Sequence, residues 1–201
     1  RDRNMDRNEL VAYLDALLDC GRFRDYCPNG LQVEGRAGIR RIVCGVSASL
    51  TLLQAALAAD ADAVLVHHGW FWRGEDGRVT GIRRARLKAL LENDLSLFAY
   101  HLPLDAHPEF GNNAQLARRL GWAVEGRFGE QDGGFLGRAT GSAQEIADRL
   151  ALEPGRLPLP VGDAGRRVER IAWCSGGAQG YFEQAIAAGA DLYVSGEISE
   201  Q

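Results

Sequence analysis

Arg41-Ile42-Val43-Cys44-Gly45-Val46, followed by Leu50 to Ala59 and then by Ala63-Val64-Leu65-Val66-His67-His68-Gly69, is the stretch that decides the fold. Two short, mainly β-branched runs flank an Ala/Leu segment of helical length, so the three pieces read as strand, helix and strand. A strand that returns through a helix lies parallel to the first, and open parallel sheets bind ligands at the carboxyl ends of their strands. The histidine pair sits at such an end. Neighbouring strand residues point to opposite faces, so two adjacent imidazoles reach one centre only where the strand finishes. The pair is therefore a candidate for metal ligation, with a solvated strand terminus as the alternative.

Outward from this unit the pattern stays helical and extended by turns. Leu10, Val11, Leu14, Leu17 and Leu18 recur at helical spacing before Gly21, which predicts a first helix with a glycine stop. Arg83 to Glu92 reads as a further helix, Leu95 to Tyr100 as a strand, and Asn113 to Leu120 as a short helix closed by Gly121.

Sliding the chain on itself by 129 positions places Arg41-Ile42 on Arg170-Ile171, and Ala56, Ala58, Ala59, Ala61 and Asp62 on Ala185, Ala187, Ala188, Ala190 and Asp191. Seven identities in 22 ungapped positions predict two related β-α-β halves. Between them the composition shifts. Gly133-Gly134 and the run Pro154 to Pro160 are turn or linker chemistry, and Ser142-Ala143-Gln144-Glu145 matches a capping box opening a helix to Leu150. The expected class is α/β: a first half over 1–122 that carries the ligand motifs, a small inserted element and linker over 123–167, and the start of the related second half over 168–201, cut short at Gln201.

Composition bounds the function. The 201 residues are 46% hydrophobic and 25% charged, an ordinary globular balance able to bury one good core or two small ones. A net charge of −4 and a pI near 5.6, with no long basic block, argue against general nucleic-acid or membrane-surface binding. Arg83-Arg84 and Arg166-Arg167 read as solvated faces. Cys20, Cys27, Cys44 and Cys174 show no Cys-x-x-Cys spacing, which predicts free thiols and a cytoplasmic setting. No apolar run approaches the roughly 18 residues of a membrane span, and Arg1 to Asn4 before Met5 read as an upstream extension.

Three strand ends carry candidate chemistry: His67-His68; His101 with Asp105; and Glu197, which the repeat aligns with His68. Imidazoles with carboxylates suit Zn, Fe, Ni or Mn, and the absence of a thiolate cluster argues against structural zinc. Pro103 could aim Asp105 back over the strand ends as a bridging carboxylate, or Asp105 could cap a turn. His101 is read as a proton carrier, a partner to a ligand, or a satisfied buried histidine. Glu197 is a second candidate proton carrier, or the first carboxylate of a helix. Trp70, Phe71 and Trp72 could stack a ring or form core, and Arg73 is the obvious cation beside the histidines. No P-loop, dinucleotide fingerprint or nucleophile elbow is present.

Asn29-Gly30-Leu31-Gln32-Val33-Glu34-Gly35, Val66-His67-His68-Gly69-Trp70-Phe71-Trp72-Arg73-Gly74, His101-Leu102-Pro103-Leu104-Asp105-Ala106-His107-Pro108, Gly111-Asn112-Asn113 and Ser195-Gly196-Glu197 together resemble the Nif-three-like dinuclear metal-centre proteins, often named GTP cyclohydrolase I type 2 homologues. The resemblance implies a duplicated α/β fold, two divalent metal ions per subunit in the complete protein and a toroidal homohexamer. By motif position His67, His68 and Asp105 correspond to metal ligands, with Asp105 shared between the ions. Family members continue past Gln201 to a further His and Glu ligand, so the site is expected to be incomplete in this chain. The expected function is a metal-dependent hydrolase acting on a nucleotide or related heterocycle through activated water, with His101 or Glu197 moving the proton. Phosphoester hydrolysis with Arg73 as phosphate contact is a variant of it. The alternative from another class is a non-catalytic, regulatory metal-binding ring.

Overall fold

A computed structural model describes residues 4–152 and 157–200. Arg1 to Arg3 of the expected extension, Pro154 to Arg156 of the expected linker and the terminal Gln201 lie outside the described residues. The chain forms two compact units, residues up to Leu104 and residues from Asp105.

In the first unit β1 (Met5–Asp6) leads into α1 (Arg7–Leu17), whose start is capped by the Asp6 carboxylate accepting from the N–H groups of Asn8 and Glu9. The helix ends before the expected glycine. Asp19 takes the left-handed conformation at φ 50°, a role open to Asp, so Gly21 falls inside the following turn. β2 (Gly30–Val33) and β3 (Gly38–Ile39) follow, β3 pairing antiparallel with β1.

The deciding stretch folds as β4 (Ile42–Ser47), α2 (Leu50–Ala58) and β5 (Ala63–His68), and continues as α3 (Gly81–Leu91) and β6 (Ser96–Ala99). Strands β4, β5 and β6 are parallel, β2 is antiparallel to β6, and the sheet order is β2-β6-β5-β4. Alternation explains the register. Val64, Val66, Leu97 and Ala99 pack with Leu53, Ala56, Trp70 and Leu90 on one face, while Ala63, Phe98 and Tyr100 meet Leu10, Leu18 and Ile39 on the other. Each buried large side chain contributes roughly 1.5–3 kcal/mol, and a one-residue slip would exchange the two faces. The resulting pairs Ser47 with His68 and Val66 with Ala99 align the carboxyl ends of three strands.

The second unit contains α5 (Asn112–Leu120), preceded by the short α4 (Leu102–Ala106), and then β7 (Ala123–Phe128), β8 (Gly134–Ser142), α6 (Ala143–Leu152), β9 (Arg167–Cys174), α7 (Phe182–Ala187) and β10 (Leu192–Ser195). Gly121 closes α5 at φ 71°, as its position predicts. The capping box is formed: Glu145 N–H donates to Ser142 Oγ (3.2 Å) and Ser142 N–H to Glu145 Oε2 (2.7 Å). The sheet order is β10-β9-β8-β7, parallel at β10-β9 and antiparallel elsewhere. Residues 123–167, expected as an insertion, thus supply two strands of the same sheet as β9 and β10. One core of Trp122, Phe135, Ala139, Ile146, Val168, Ile171 and Trp173 spans both stretches.

The 129-residue register recurs in hydrogen bonds. Asp62 Oδ2 accepts from the N–H groups of Arg40 (2.9 Å) and Arg41 (3.0 Å), and Asp191 Oδ2 from those of Glu169 (3.1 Å) and Arg170 (3.0 Å). Asp62 N–H returns to Arg41 O and Asp191 N–H to Arg170 O. Asp60 and Gly189, again 129 apart, both have positive φ, 51° and 77°.

Burial would raise the Asp62 pKa, but the Arg40 and Arg41 N–H groups and the Arg36 guanidinium outweigh it and hold the carboxyl below its usual range. The unfolded chain then binds that proton more tightly. The stability from Asp62 is complete above the ordinary Asp pKa of about 3.9 and is lost as pH falls through the lower folded value. Asp62→Asn is expected to lower stability by about 1.5–3 kcal/mol at pH 7 and by less at pH 3, measured by urea unfolding. An equal loss at both pH values would count against this origin.

The four cysteines are free, as expected. Among the described residues no helix is long and apolar enough to cross a membrane.

Candidate metal centre

His67 and His68 are the last two residues of β5, and His101 follows β6 by two positions. One ligand-capable atom from each lies within 4.8 Å of the other two. The ring centroids are 4.4 Å apart for His67 and His68, 5.0 Å for His67 and His101, and 5.7 Å for His68 and His101. Metal–nitrogen bonds of about 2.0–2.1 Å place two ligands of one ion at most about 4 Å apart. The three rings need little closure to share an ion.

The Nδ1 atoms are already engaged. His67 Nδ1 lies 3.0 Å from Tyr100 O, a pure acceptor, so it carries the proton and leaves the lone pair on Nε2. His101 Nδ1 donates to Asp25 Oδ1 at 2.7 Å, and His68 Nδ1 lies 3.3 Å from Ser47 Oγ. An oxygen partner behind each ring, with a carboxylate behind one, is the arrangement that orients imidazole ligands and raises their basicity.

Asp25 is itself held tightly. Its Oδ1 also accepts from Tyr26 N–H (2.6 Å), and its Oδ2 from Asn29 Nδ2 and Leu102 N–H (both 2.9 Å). Burial acts to raise its pKa, but these bonds, led by that from His101, win and bring it down to about 2. It stays ionised behind His101. Asp25, Cys27 and His101 form a second group of close ligand atoms. It is the poorer metal site: Asp25 spends its oxygens on four donors, and burial beside the Asp25 charge pushes the Cys27 thiol up to about 12.

Two residues of the Asn29-to-Gly35 motif brace the loop around the imidazoles. Asn29 Oδ1 accepts from His101 N–H (2.7 Å). Gln32 Oε1 accepts from Trp70 N–H (2.7 Å), while its Nε2 donates to Trp70 O (3.1 Å) and Pro28 O (2.8 Å). Gly69 is required by this brace, since a Cβ there would stand 2.3 Å from Gln32 Oε1 and 2.5 Å from Ala99 Cβ. Of the aromatic triplet, Trp70 is core, its Nε1 donating to Ala48 O (3.0 Å). Trp72 stands edge-on to His101 at 4.9 Å and to His68 at 6.0 Å.

The structure thus unites His67, His68 and His101, placing the expected proton carrier with the expected ligands. Within the second unit Asp105 and Glu197 belong to no cluster of three candidate ligands among the described residues. Asp105 Oδ1 accepts from Asn112 Nδ2 at 2.7 Å, and Glu197 is exposed after β10. Arg73 is occupied elsewhere, donating to Asp25 O (2.9 Å) and lying over the Tyr26 ring. Asp25 escaped sequence reasoning: it sits in an irregular loop 76 residues from His101 and carries no periodic signal.

The first unit is thus a mainly parallel α/β sheet with three imidazoles gathered at its strand ends. The model of the Duf34/NIF3 (NGG1p interacting factor 3) family matches residues 5–201, and the chain belongs to that family. It is 58% identical over 199 residues to the GTP cyclohydrolase 1 type 2 homolog of Pseudomonas aeruginosa, covering 96% of this chain and 78% of that protein. A solved structure of protein ybgI, described as of unknown function, superposes with a TM-score of 0.94 at 46% identity, over 98% of this chain and 80% of that one. TTHA1606 of Thermus thermophilus matches at a TM-score of 0.86 and 39% identity, over 98% and 79%.

Proposed function

We propose that the chain is a metal-dependent hydrolase whose centre is built on His67, His68 and His101 and whose substrate is a nucleotide or related heterocycle. The observation that carries this reading is the convergence of three imidazoles with an oxygen partner behind every Nδ1. The donor set fits a divalent Zn, Fe, Ni or Mn ion. When bound, such an ion supplies Lewis acidity, lowering the pKa of water and polarising an electrophilic carbon or phosphorus.

The protein's own groups do the rest. Tyr100 O and Asp25 hold a proton on Nδ1 of His67 and His101, which leaves Nε2 as the donor atom of each. An Nε2 that binds a cation cannot also carry a proton. With His101 used as a ligand, proton transfer to the departing nitrogen falls to Glu197, the other candidate named from sequence. Asp105 as a bridge between two ions, and assembly as a ring of six, complete the reading; both are supported by the resemblance of the motifs.

The testing experiment is elemental analysis of a chain extended beyond Gln201, with a substrate panel of GTP, related heterocycles and phosphoesters, alongside sedimentation equilibrium. Expected are about two metal ions per extended chain, metal-dependent turnover of a panel member, and a mass six times that of one extended chain. Metal at that level without turnover would move the reading to a non-catalytic metal-binding ring, and a chain without metal would overturn it.

A further inference from the structure

A cleft of about 220 Å³ opens beside His68 in the first unit, bounded by Ser47, Ser49, Trp72 and Arg86. Arg86, on α3, stands out by what it lacks. Its Nε is shut off from solvent with no hydrogen-bond partner, and its guanidinium has no ion pair among the described residues. Arg7, Arg36, Arg73 and Arg83 of the same unit each meet a carboxylate or carbonyl oxygen. A partly buried guanidinium is a planar fork of donors that cannot deprotonate, so it calls for an anion with several acceptor oxygens.

The other walls narrow the choice. The hydroxyl-bearing Ser47 and Ser49 and the indole of Trp72 line the same cleft. The volume is below the roughly 300–1,000 Å³ that encloses a whole small ligand, so the cleft takes one end of one. We infer that this cleft is a subsite for the phosphoryl group of an aromatic or heterocyclic phosphate, with Arg86 as its counter-ion and Trp72 beside the ring. The inference rests on the proposed function for the chemistry next door, at His68, and names the substrate class as phosphorylated.

Trp70 and Trp72 both line the cleft, so tryptophan fluorescence reports its filling. The full chain is titrated with inorganic phosphate, phenyl phosphate and phenol, as purified and again after chelation, which separates binding by Arg86 from binding by a metal. Saturable binding of phenyl phosphate that survives chelation is expected, at least fivefold tighter than inorganic phosphate and weakened tenfold or more in Arg86→Met. Arg86→Lys, which keeps a charge, is expected to fall between the two. The inference is overturned if Arg86→Met titrates like the parent chain, if phenol binds as well as phenyl phosphate, or if binding disappears on chelation. Inorganic phosphate binding as tightly as phenyl phosphate would overturn the ring half of it. Metal content, measured on the same samples, judges the metal centre separately: Arg86→Met is expected to leave it unchanged, and a metal-free parent that still binds phenyl phosphate through Arg86 would retain the subsite while defeating the hydrolase.

Discussion

Replacing His67 and His101 together by alanine is expected to reduce bound divalent metal to less than a tenth of the parent level, measured by elemental analysis after gel filtration. The two rings come from the ends of different strands and share a centre with His68. Their removal leaves one imidazole, too few donors to retain an ion through purification. The Asp25→Asn variant separates ligation from support. It keeps the size of the side chain but removes the charge behind His101 Nδ1, and a supporting group of this kind is worth about 10–100-fold in metal affinity. Asp25→Asn is thus expected to bind the ion that much more weakly without emptying the site at saturating metal. Parent-level metal in the double variant would remove the imidazole cluster from any account of the centre.

Gly69→Ala is expected to lower stability by about 3 kcal/mol, at the upper end of the range for an added methyl in a packed site, read as a fall in the urea midpoint at constant m-value. The sign is not obvious from the residue types. Gly69 does not have a positive φ, and at an unstrained open position the same change stabilises by about 0.4–1 kcal/mol. Here the new carbon would meet Gln32 Oε1 at 2.3 Å and Ala99 Cβ at 2.5 Å. Gln32 cannot retreat without releasing Trp70 N–H and Trp70 O, and Ala99 belongs to a central strand. In a Gln32→Ala background part of the clash is gone, so the cost of Gly69→Ala is expected to fall by about 1 kcal/mol or more. Additive losses, or a stabilised Gly69→Ala chain, would defeat this explanation of the glycine.

Much of the first unit was legible in the residues because its signals are local. Apolar runs bounded by helical segments marked out β4, α2 and β5, and the histidine pair announced a strand end. The 129-residue repeat located β9, α7 and β10 and aligned two aspartates that turn out to accept from corresponding pairs of backbone N–H groups. Residues 123–167 were less legible: their glycines and prolines suggested an insertion, whereas β7 and β8 complete the sheet that holds β9. Antiparallel pairing needs only complementary edges, and nothing in the spacing of Val124 or Phe135 names the partner strand.

The candidate centre divides in the same way. Sequence alone determined that His67 and His68 close a buried strand, and motif position added Asp105. Only the tertiary structure decided that Asp25 stands behind His101, that Asn29 and Gln32 fasten the histidine loop, and that Arg86 rather than Arg73 faces the cleft beside His68. The physical reason is range. Helix and strand periodicity is fixed by neighbours a few positions apart. The bonds that aim these imidazoles join residues 21 to 76 positions apart and exist only once the sheet register has been set.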